Sequence, residues 1–598
     1  MQAAEPVVLS LTAGAMPLAE RLAEALGAQH HPRLGPDGFG DVAAHVQGLF
    51  QAGTPIIGIC ASGILIRTLA PVLGDKWAEP PVLAVAEDGS AVVPLLGGHR
   101  GANALARQVA EVLDSAAAIT TAGDLRLGVA LDEPPQGWTL DNPEDAKAAM
   151  AALLSGAAAR ISGTADWLAP LDAERVAGDG PVVLSVEGAA PLIYRQRRFA
   201  LGVGCARGTA PEAMISHVGA VLADNGIAGG ELAEVVSIDV KADEAAVHAL
   251  AAHYGVPARF FPADVLEAET PRLSAPSDIV FAEVGCHGVA EGAALAAAGP
   301  DGALVVEKVK SPMATCALAR IGTAPRKGMP RGHLAVVGIG PGAAEWRTPE
   351  ATRLIREADE LVGYGLYLDL LGPLAKGKPR REFALGEEEL RCRYALESAG
   401  EGRRVALISS GDAGIFAMGA LVAELLDRDE DTGGVSAAAR RVAVQNAPGI
   451  SALQAASARA GALLGHDFCA ISLSDLLTPR ETIIQRLHAA AAGDFVIAFY
   501  NPVSRRRRTL LAEARDILLE QRPADTPVLL ASNLGRPEEQ LRRRTLATLE
   551  VDEVDMLTVV LIGASQTRAF QTGDIAAAAE GWQIYTPRGY AKKLADVE

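Results

Sequence analysis

Arg404 to Gly414 reads RVALISSGDAG, and Ile415 to Leu426 continues as IFAMGALVAELL. An apolar run of strand length ends in a glycine loop and gives way to apolar positions at helical spacing. The same grammar stands near the other end of the chain, where Pro55 to Gly63 (PIIGICASG) precedes Ile64 to Gly74 (ILIRTLAPVLG). Such alternation along 598 residues predicts α/β layers with mainly parallel sheets. The length predicts about four domains. With 49% hydrophobic and 21% charged residues, the chain has the balance of a folded globular protein. Abundant Ala and Gly, with few aromatics, suit helices packed closely on sheets.

Charge narrows the partners. There are 54 Lys+Arg against 73 Asp+Glu, a formal charge of −19. That balance argues against a general binder of nucleic acid or anionic membrane. Local basic clusters leave an anionic small-molecule substrate open. Met1 to Gly14 carries no Lys or Arg ahead of its apolar stretch, so it does not read as a secretory signal. No apolar run reaches the roughly 18 residues of a membrane helix. A cytoplasmic location is expected. Six cysteines (Cys60, Cys205, Cys286, Cys316, Cys392, Cys469) lie far apart and never form CxxC. This predicts no structural zinc, iron–sulfur cluster or disulfide framework, and no metal site is expected.

Two stretches read as linkers: Tyr194 to Arg198 (YRQRR), ahead of a strand at 200–204, and Gly322 to Gly332 (GTAPRKGMPRG), ahead of a strand at 333–337. The expected division is 1–121, 122–199, 200–321, a linker at 322–332, and 333–598 as two lobes breaking near 440–450. Asp427 to Gly433 (DRDEDTG) reads as a solvated loop.

Five strand-end motifs follow in the last part. Gly338-Ile339-Gly340-Pro341-Gly342-Ala343 satisfies a GxGxxA dinucleotide fingerprint, which keeps a nicotinamide-dependent oxidoreductase among the readings. Pro341 inside the turn and a late helix start, with Thr348 as N-cap and Pro349 behind it, count against that reading. Then come Ser409 to Phe416 (SSGDAGIF), Ala447 to Ala452 (APGISA), Phe499 to Pro502 (FYNP), and Met556-Leu557-Thr558. In this order they resemble the tetrapyrrole (corrin/porphyrin) methylases, over nearly all of 333–598. Ile471 to Pro479 (ISLSDLLTP) and YNPVSRRRR resemble the precorrin-3B C-17-methyltransferases (CobJ-type) within that family.

The resemblance implies a bilobal methylase fold, S-adenosylmethionine in a cleft between lobes, a precorrin substrate and a homodimer. It places the methyl donor against Pro341, Gly411, Asp412, Ile415, Phe416, Ser451, Tyr500, Asn501 and Thr558. Methyl transfer is an in-line displacement, in which alignment matters more than a strong base. Ring contraction, also implied, needs proton movement, with Asp412, Asp475, Tyr500 and His466 as candidates. Arg505 to Arg508 form the clearest basic run. Arginine forks suit a substrate rich in carboxylates, and Arg505 and Arg506 are its expected contacts.

The first half carries Gly58 to Gly63, Arg67, and Leu96 to Asn103 (LGGHRGAN). These resemble the N-terminal part of CbiG-type cobalamin-synthesis proteins. Gly202 to Gly208 (GVGCARG), Ser237 to Lys241 (SIDVK), Gly288 to Glu291 (GVAE) and Val306 to Lys308 (VEK) resemble that family's C-terminal domain. Such proteins are associated with opening a δ-lactone of cobalt-precorrin-5A. That chemistry needs a base and an oxyanion donor. The candidates are His99, Glu283, His287 and Glu291, with Arg207, Lys241 and Lys308 as electrostatic partners and Cys205 and Cys286 as thiols.

The two resemblances point to different branches of cobalamin synthesis, one with cobalt inserted early and one without. Residues 333–598 hold only Cys392 and Cys469, too few for a redox cluster of their own, which favours precorrin-3B oxidised beforehand. A non-catalytic, corrin-binding first half and a cobalt-containing substrate stay open.

Overall fold

The computed structural model describes residues 5–35, 38–74, 79–120, 126–135, 137–178, 180–504, 507–572 and 581–590. The chain divides into two compact units: Met1–His333 with Glu397–Arg403 and Ser436–Ala443, and Leu334–Leu396 with Arg404–Val435 and Val444–Glu598.

Among the described residues the first unit holds three sheets. In the six-stranded sheet, Gln29–Pro32, Val7–Ser10, Ile56–Ile59 and Val82–Val85 run parallel, and Ala91–Leu96 pairs antiparallel to the last of them. The next sheet, from Trp138–Leu140 to Glu174–Val176, departs from the parallel expectation, since three of its four pairings are antiparallel. Its strand Leu192–Gln196 runs through the stretch expected to be a linker. Leu192 and Tyr194 alternate inward, and the buried Tyr194 hydroxyl donates to the Leu131 carbonyl at 2.8 Å. Cations at 195, 197 and 198 disguise a half-buried strand, because only alternate side chains must be apolar.

The third sheet orders Ala258–Phe261, Leu232–Ile238, Phe199–Cys205, Ala314–Arg320 and Ala303–Lys310, the first three parallel. Helix Val289–Ala298 packs on it with all but its first residue buried. A Cβ on Gly202 would sit 1.9 Å from the Ala290 carbonyl oxygen, so this close approach requires glycine. Small residues thus set the helix–sheet spacing. Together with Asp278–Val284 this helix passes an apolar length test as a pair bent by 78°, but among the described residues no single helix is long and apolar enough to cross a membrane.

The second unit contains two five-stranded sheets. One orders Arg380–Glu382, Glu360–Gly363, Arg404–Ser409, His333–Gly338 and Ala443–Ala447. The other orders Phe468–Ser472, Val496–Tyr500, Thr558–Ile562, Pro527–Ser532 and Gln540–Thr545, parallel in its first pair and antiparallel after it. A small third sheet carries Trp582–Tyr585. The helix after Gly342 begins at Pro349, with the Thr348 hydroxyl accepting from Ala351 N–H as expected. The helix after SSGDAG starts only at Met418, because Phe416 takes a left-handed φ of 50°.

Candidate active site

In the second unit the strand-end loops close on one another through their backbones. Gly340 and Gly411 form an antiparallel bridge, with N–H···O contacts of 3.1 and 2.8 Å. A Cβ on Gly449 would lie 2.1 Å from the Gly411 carbonyl oxygen and 2.8 Å from Gly338. Three loops therefore meet where no side chain fits. Asp412 locks the junction: one carboxylate oxygen accepts from Gly414 N–H at 2.8 Å, the other from Gly449 N–H at 3.0 Å. Charge-assisted bonds of this kind contribute about 1.5–3 kcal/mol each.

The GxGxxA turn does not run into a helix. Ala344–Trp346 form a short 3-10 turn first, and the Gly342 Cβ position is filled by Arg536 and the Leu534 and Gly535 carbonyls. The helix N-terminus that a dinucleotide pyrophosphate requires is absent at that turn.

Beside the junction lies a cleft of about 140 Å³ lined by Pro341, Tyr367, Ser410, Tyr500, Asn501 and Thr558 among others. Its apolar wall includes Ala452, Met556, Leu557 and Val559. Met556 and Leu557 are 48% and 47% exposed, apolar surface left open to the solvent. Tyr500 ends its strand, and its hydroxyl bonds the Ser451 hydroxyl and accepts from Leu453 N–H at 3.1 Å. Burial raises the phenol above its ordinary value, and the charge of Asp412 adds to this. Ser451 also caps helix Ala452–Ala460. The exposed Phe416 ring lies 5.2 Å from that of Tyr500. Asn501 adopts a φ of 49°, and its amide donates to Ser472 Oγ at 3.2 Å. Thr558 is buried, donating to Asp555 at 2.6 Å and sharing a 2.7 Å bond with Ser532.

Of the expected donor contacts, Pro341, Tyr500, Asn501 and Thr558 line the cleft directly. Gly411, Asp412 and Ser451 are not in its lining but belong to the adjoining junction, where Ser451 bonds Tyr500, while Ile415 is 39% exposed on the loop that follows. Tyr367, Asn533 and Arg536 also line the cleft and were not anticipated. Asn533 to Pro537 (NLGRP) repeats the glycine turn after a strand, which is the signal that points to it. Asp475 is held by Arg507 at 3.5 Å, and Arg508 pairs with Asp552 at 2.7 Å. Arg505, Arg506 and the His99 side chain lie outside the described residues. His466 is a loop residue whose Nδ1 accepts from the N–H of Asp467.

In residues 199–320 most of the named groups are engaged by neighbouring residues. Glu291 is 1% exposed, and its oxygens accept from the N–H groups of Ser274, Ala275 and Lys308 and from the Ser274 hydroxyl. Burial alone would raise its carboxyl, but these bonds outweigh burial and hold it below the ordinary value. Arg207 pairs with Asp243 at 2.5 Å, Lys241 with Glu244 at 3.4 Å, and the Lys308 ammonium donates to the Ala275 carbonyl. His287 Nδ1 meets Glu267 at 2.9 Å, and its Nε2 lies 3.4 Å from Asp278. Glu283 is exposed. Cys205 and Cys286 have thiols raised by burial, which makes them poor nucleophiles. Among the described residues no three metal-ligating side chains cluster.

Comparison with known proteins places these observations. The family model for tetrapyrrole (corrin/porphyrin) methylases matches residues 333–550. Those for the cobalamin synthesis G N-terminal and C-terminal domains match 44–124 and 199–319. A precorrin-3B C(17)-methyltransferase from a Sinorhizobium species is 41% identical over 260 residues, covering 44% of this chain and 98% of the relative. A probable cobalt-factor III C(17)-methyltransferase from Salmonella typhimurium is 42% identical over 257 residues, 43% of this chain and 99% of the relative. A solved structure of the methyltransferase CobJ is 38% identical, covers 43% of this chain and all of that one, and superposes with a TM-score of 0.38. By its identity to nearly the whole length of such relatives, the chain belongs to the tetrapyrrole methylase family, among its precorrin-3B and cobalt-factor III C(17)-methyltransferases, and carries cobalamin synthesis G domains ahead of the methylase.

Proposed function

We propose that residues 333–598 methylate C-17 of precorrin-3B with S-adenosylmethionine and contract the macrocycle, giving precorrin-4. The carrying observation is the three-loop junction beside a cleft whose polar lining faces an apolar wall. That pairing suits the donor: polar groups for its amino-acid end, apolar surface beside its sulfonium. When bound, the donor supplies a sulfonium-linked methyl group open to in-line displacement. Pro341, Gly411, Asp412, Ile415, Phe416, Ser451, Tyr500, Asn501 and Thr558 would hold it. Fixing geometry and excluding water supplies most of the rate such a transfer needs.

Both Asp412 oxygens accept main-chain N–H groups, so its part is to keep the loops in register. Tyr500, with its raised phenol, remains a hydrogen-bond donor at neutral pH. Asp475, beside Arg507, is the carboxylate best suited to move a proton during contraction. Arg505 and Arg506 would receive substrate carboxylates, as Arg207, Lys241 and Lys308 would in the first half.

The first half we read as a handler of corrin intermediates, by opening a δ-lactone or by binding, divided at 121 and 199 and joined to the methylase through 322–332. A cytoplasmic homodimer is the form we expect. The near-equal identity to a cobalt-factor III relative supports a second reading, in which the substrate carries cobalt.

The test is mass spectrometry of products after incubation with S-adenosylmethionine and either precorrin-3B or its cobalt counterpart. One added methyl with contraction on the metal-free substrate alone is expected. Turnover only with cobalt reverses the branch, and no methylation of either removes the proposal. Acetaldehyde release from cobalt-precorrin-5A would assign hydrolysis to the first half.

A further inference from the structure

We propose that Arg536, assisted by Tyr367, is a carboxylate anchor inside the methylase cleft. The assignment rests on that cleft being the reaction site. Arg536 is the one cation lining it among the described residues. Its Nε donates to the Pro341 carbonyl at 3.0 Å, and Nη2 reaches Ser410 Oγ at 3.4 Å. Both acceptors are neutral. A guanidinium carries five N–H groups, and the remaining three have no acceptor among the described residues.

Many arginines of this unit pair with an acid; Arg347, Arg356 and Arg391 do not among the described residues, but none of these three lines the cleft. Arg507 meets Asp475, Arg508 meets Asp552, Arg459 meets Glu539, and Arg544 meets Glu553. Arg536 makes no ion pair with any described residue, although burial disfavours its charge. A half-buried cation costs free energy unless an opposite charge arrives. Tyr367 lies close enough for its phenol to interact with the Arg536 charge, and its hydroxyl has no protein hydrogen bond among the described residues. Burial keeps that phenol protonated. A fixed fork and a neighbouring O–H are the donors that a carboxylate's two oxygens require. The acceptors at Pro341 and Ser410 hold the fork in place before the ligand arrives, which lowers the entropy lost on binding.

Two molecules of the proposed reaction carry carboxylates: the amino-acid end of the donor and the acetate and propionate arms of the tetrapyrrole. Calorimetry on the full-length protein separates them with S-adenosylhomocysteine and 5′-methylthioadenosine, a nucleoside thioether that lacks the amino-acid end, carboxylate and ammonium together. If the donor is anchored, wild type favours S-adenosylhomocysteine, and Arg536→Gln loses that preference by about 10- to 100-fold. If the substrate is anchored, Arg536→Gln binds S-adenosylhomocysteine as wild type does, while KM for the tetrapyrrole rises by a similar factor. In either arm Arg536→Lys recovers part of the loss, because it keeps the charge without the fork. A prop for the loops would instead lower affinity for both nucleosides equally, with no rescue by Lys, and that result overturns the anchor. So does a variant matching wild type in every measurement. Wild type that binds neither nucleoside and methylates nothing fails earlier, removing the cleft as reaction site and the anchor with it.

Discussion

The loop junction of the second unit and the sheet of residues 199–320 both gather charged groups near strand ends, but they leave them in opposite states. Around Glu291, three main-chain N–H groups and a hydroxyl converge on one buried carboxylate, and the nearby Arg207 and Lys241 face acids of their own. Around the cleft, Asp412 is likewise bound by main-chain groups, yet Arg536 and Tyr367 keep donors without acceptors among the described residues. A buried polar group that is fully hydrogen-bonded is accounted for by the scaffold; one left short inside a cleft has room for a ligand to complete it. Residue type does not separate the two. Hydrogen-bond accounting does.

Removing the best-satisfied group sharpens the contrast most. Glu291→Ala orphans three N–H groups in a buried position, and we expect a loss of about 4 kcal/mol from residues 199–320. Amide exchange across 274–308 reads this directly; unchanged protection there would place Glu291 outside the scaffold. Its depressed carboxyl also fixes a pH sign. The stabilisation is complete above the unfolded glutamate value of about 4.3 and is lost as pH falls through the lower folded value. Wild type should therefore lose melting temperature in acid more steeply than Glu291→Gln.

Asp412→Ala comes next, since it releases two loops at once. The expected cost of about 3 kcal/mol corresponds to a roughly 100-fold fall in methyl transfer, followed by mass spectrometry. Turnover within about threefold of wild type would break the equation of this junction with the reaction site.

Tyr500→Phe removes one hydroxyl shared with Ser451 and Leu453. A loss of about 1 kcal/mol, seen as a fivefold weaker binding of S-adenosylhomocysteine, is the expected result. A loss of kcat beyond 1,000-fold with binding intact would instead make the phenol an acid in contraction. The wild-type rate should show no phenol titration below about pH 10, because burial raises that group.

Arg207→Ala should change least. The guanidinium is largely exposed, at 57% of its side chain, and such pairs contribute under about 1 kcal/mol. A larger drop in melting temperature would show that the charges of this sheet act as a network.

Much of the site was legible because glycine loops at strand ends have one grammar, readable wherever they occur. Pro341 sits in such a loop, Tyr500 and Asn501 where one strand ends and Thr558 where another begins, and all four line the cleft. Arg536 follows the same kind of turn, yet nothing local separates a cation with no partner from the many that have one. Tyr194 shows the reverse failure, a fully buried strand residue hidden among arginines.

The sequence by itself determined the α/β layers, the late helix start at Pro349 and the family, because periodicity, capping and motif order are local or linear properties. Only the tertiary structure decided that residues 138–196 pair mostly antiparallel, that Glu291 is enclosed and that Arg536 has no ion pair among the described residues. Strand pairing and charge compensation are made by residues distant in the chain, as Asp412 with Gly449 and Arg536 with Pro341 demonstrate. Their energies exist only once those distances close.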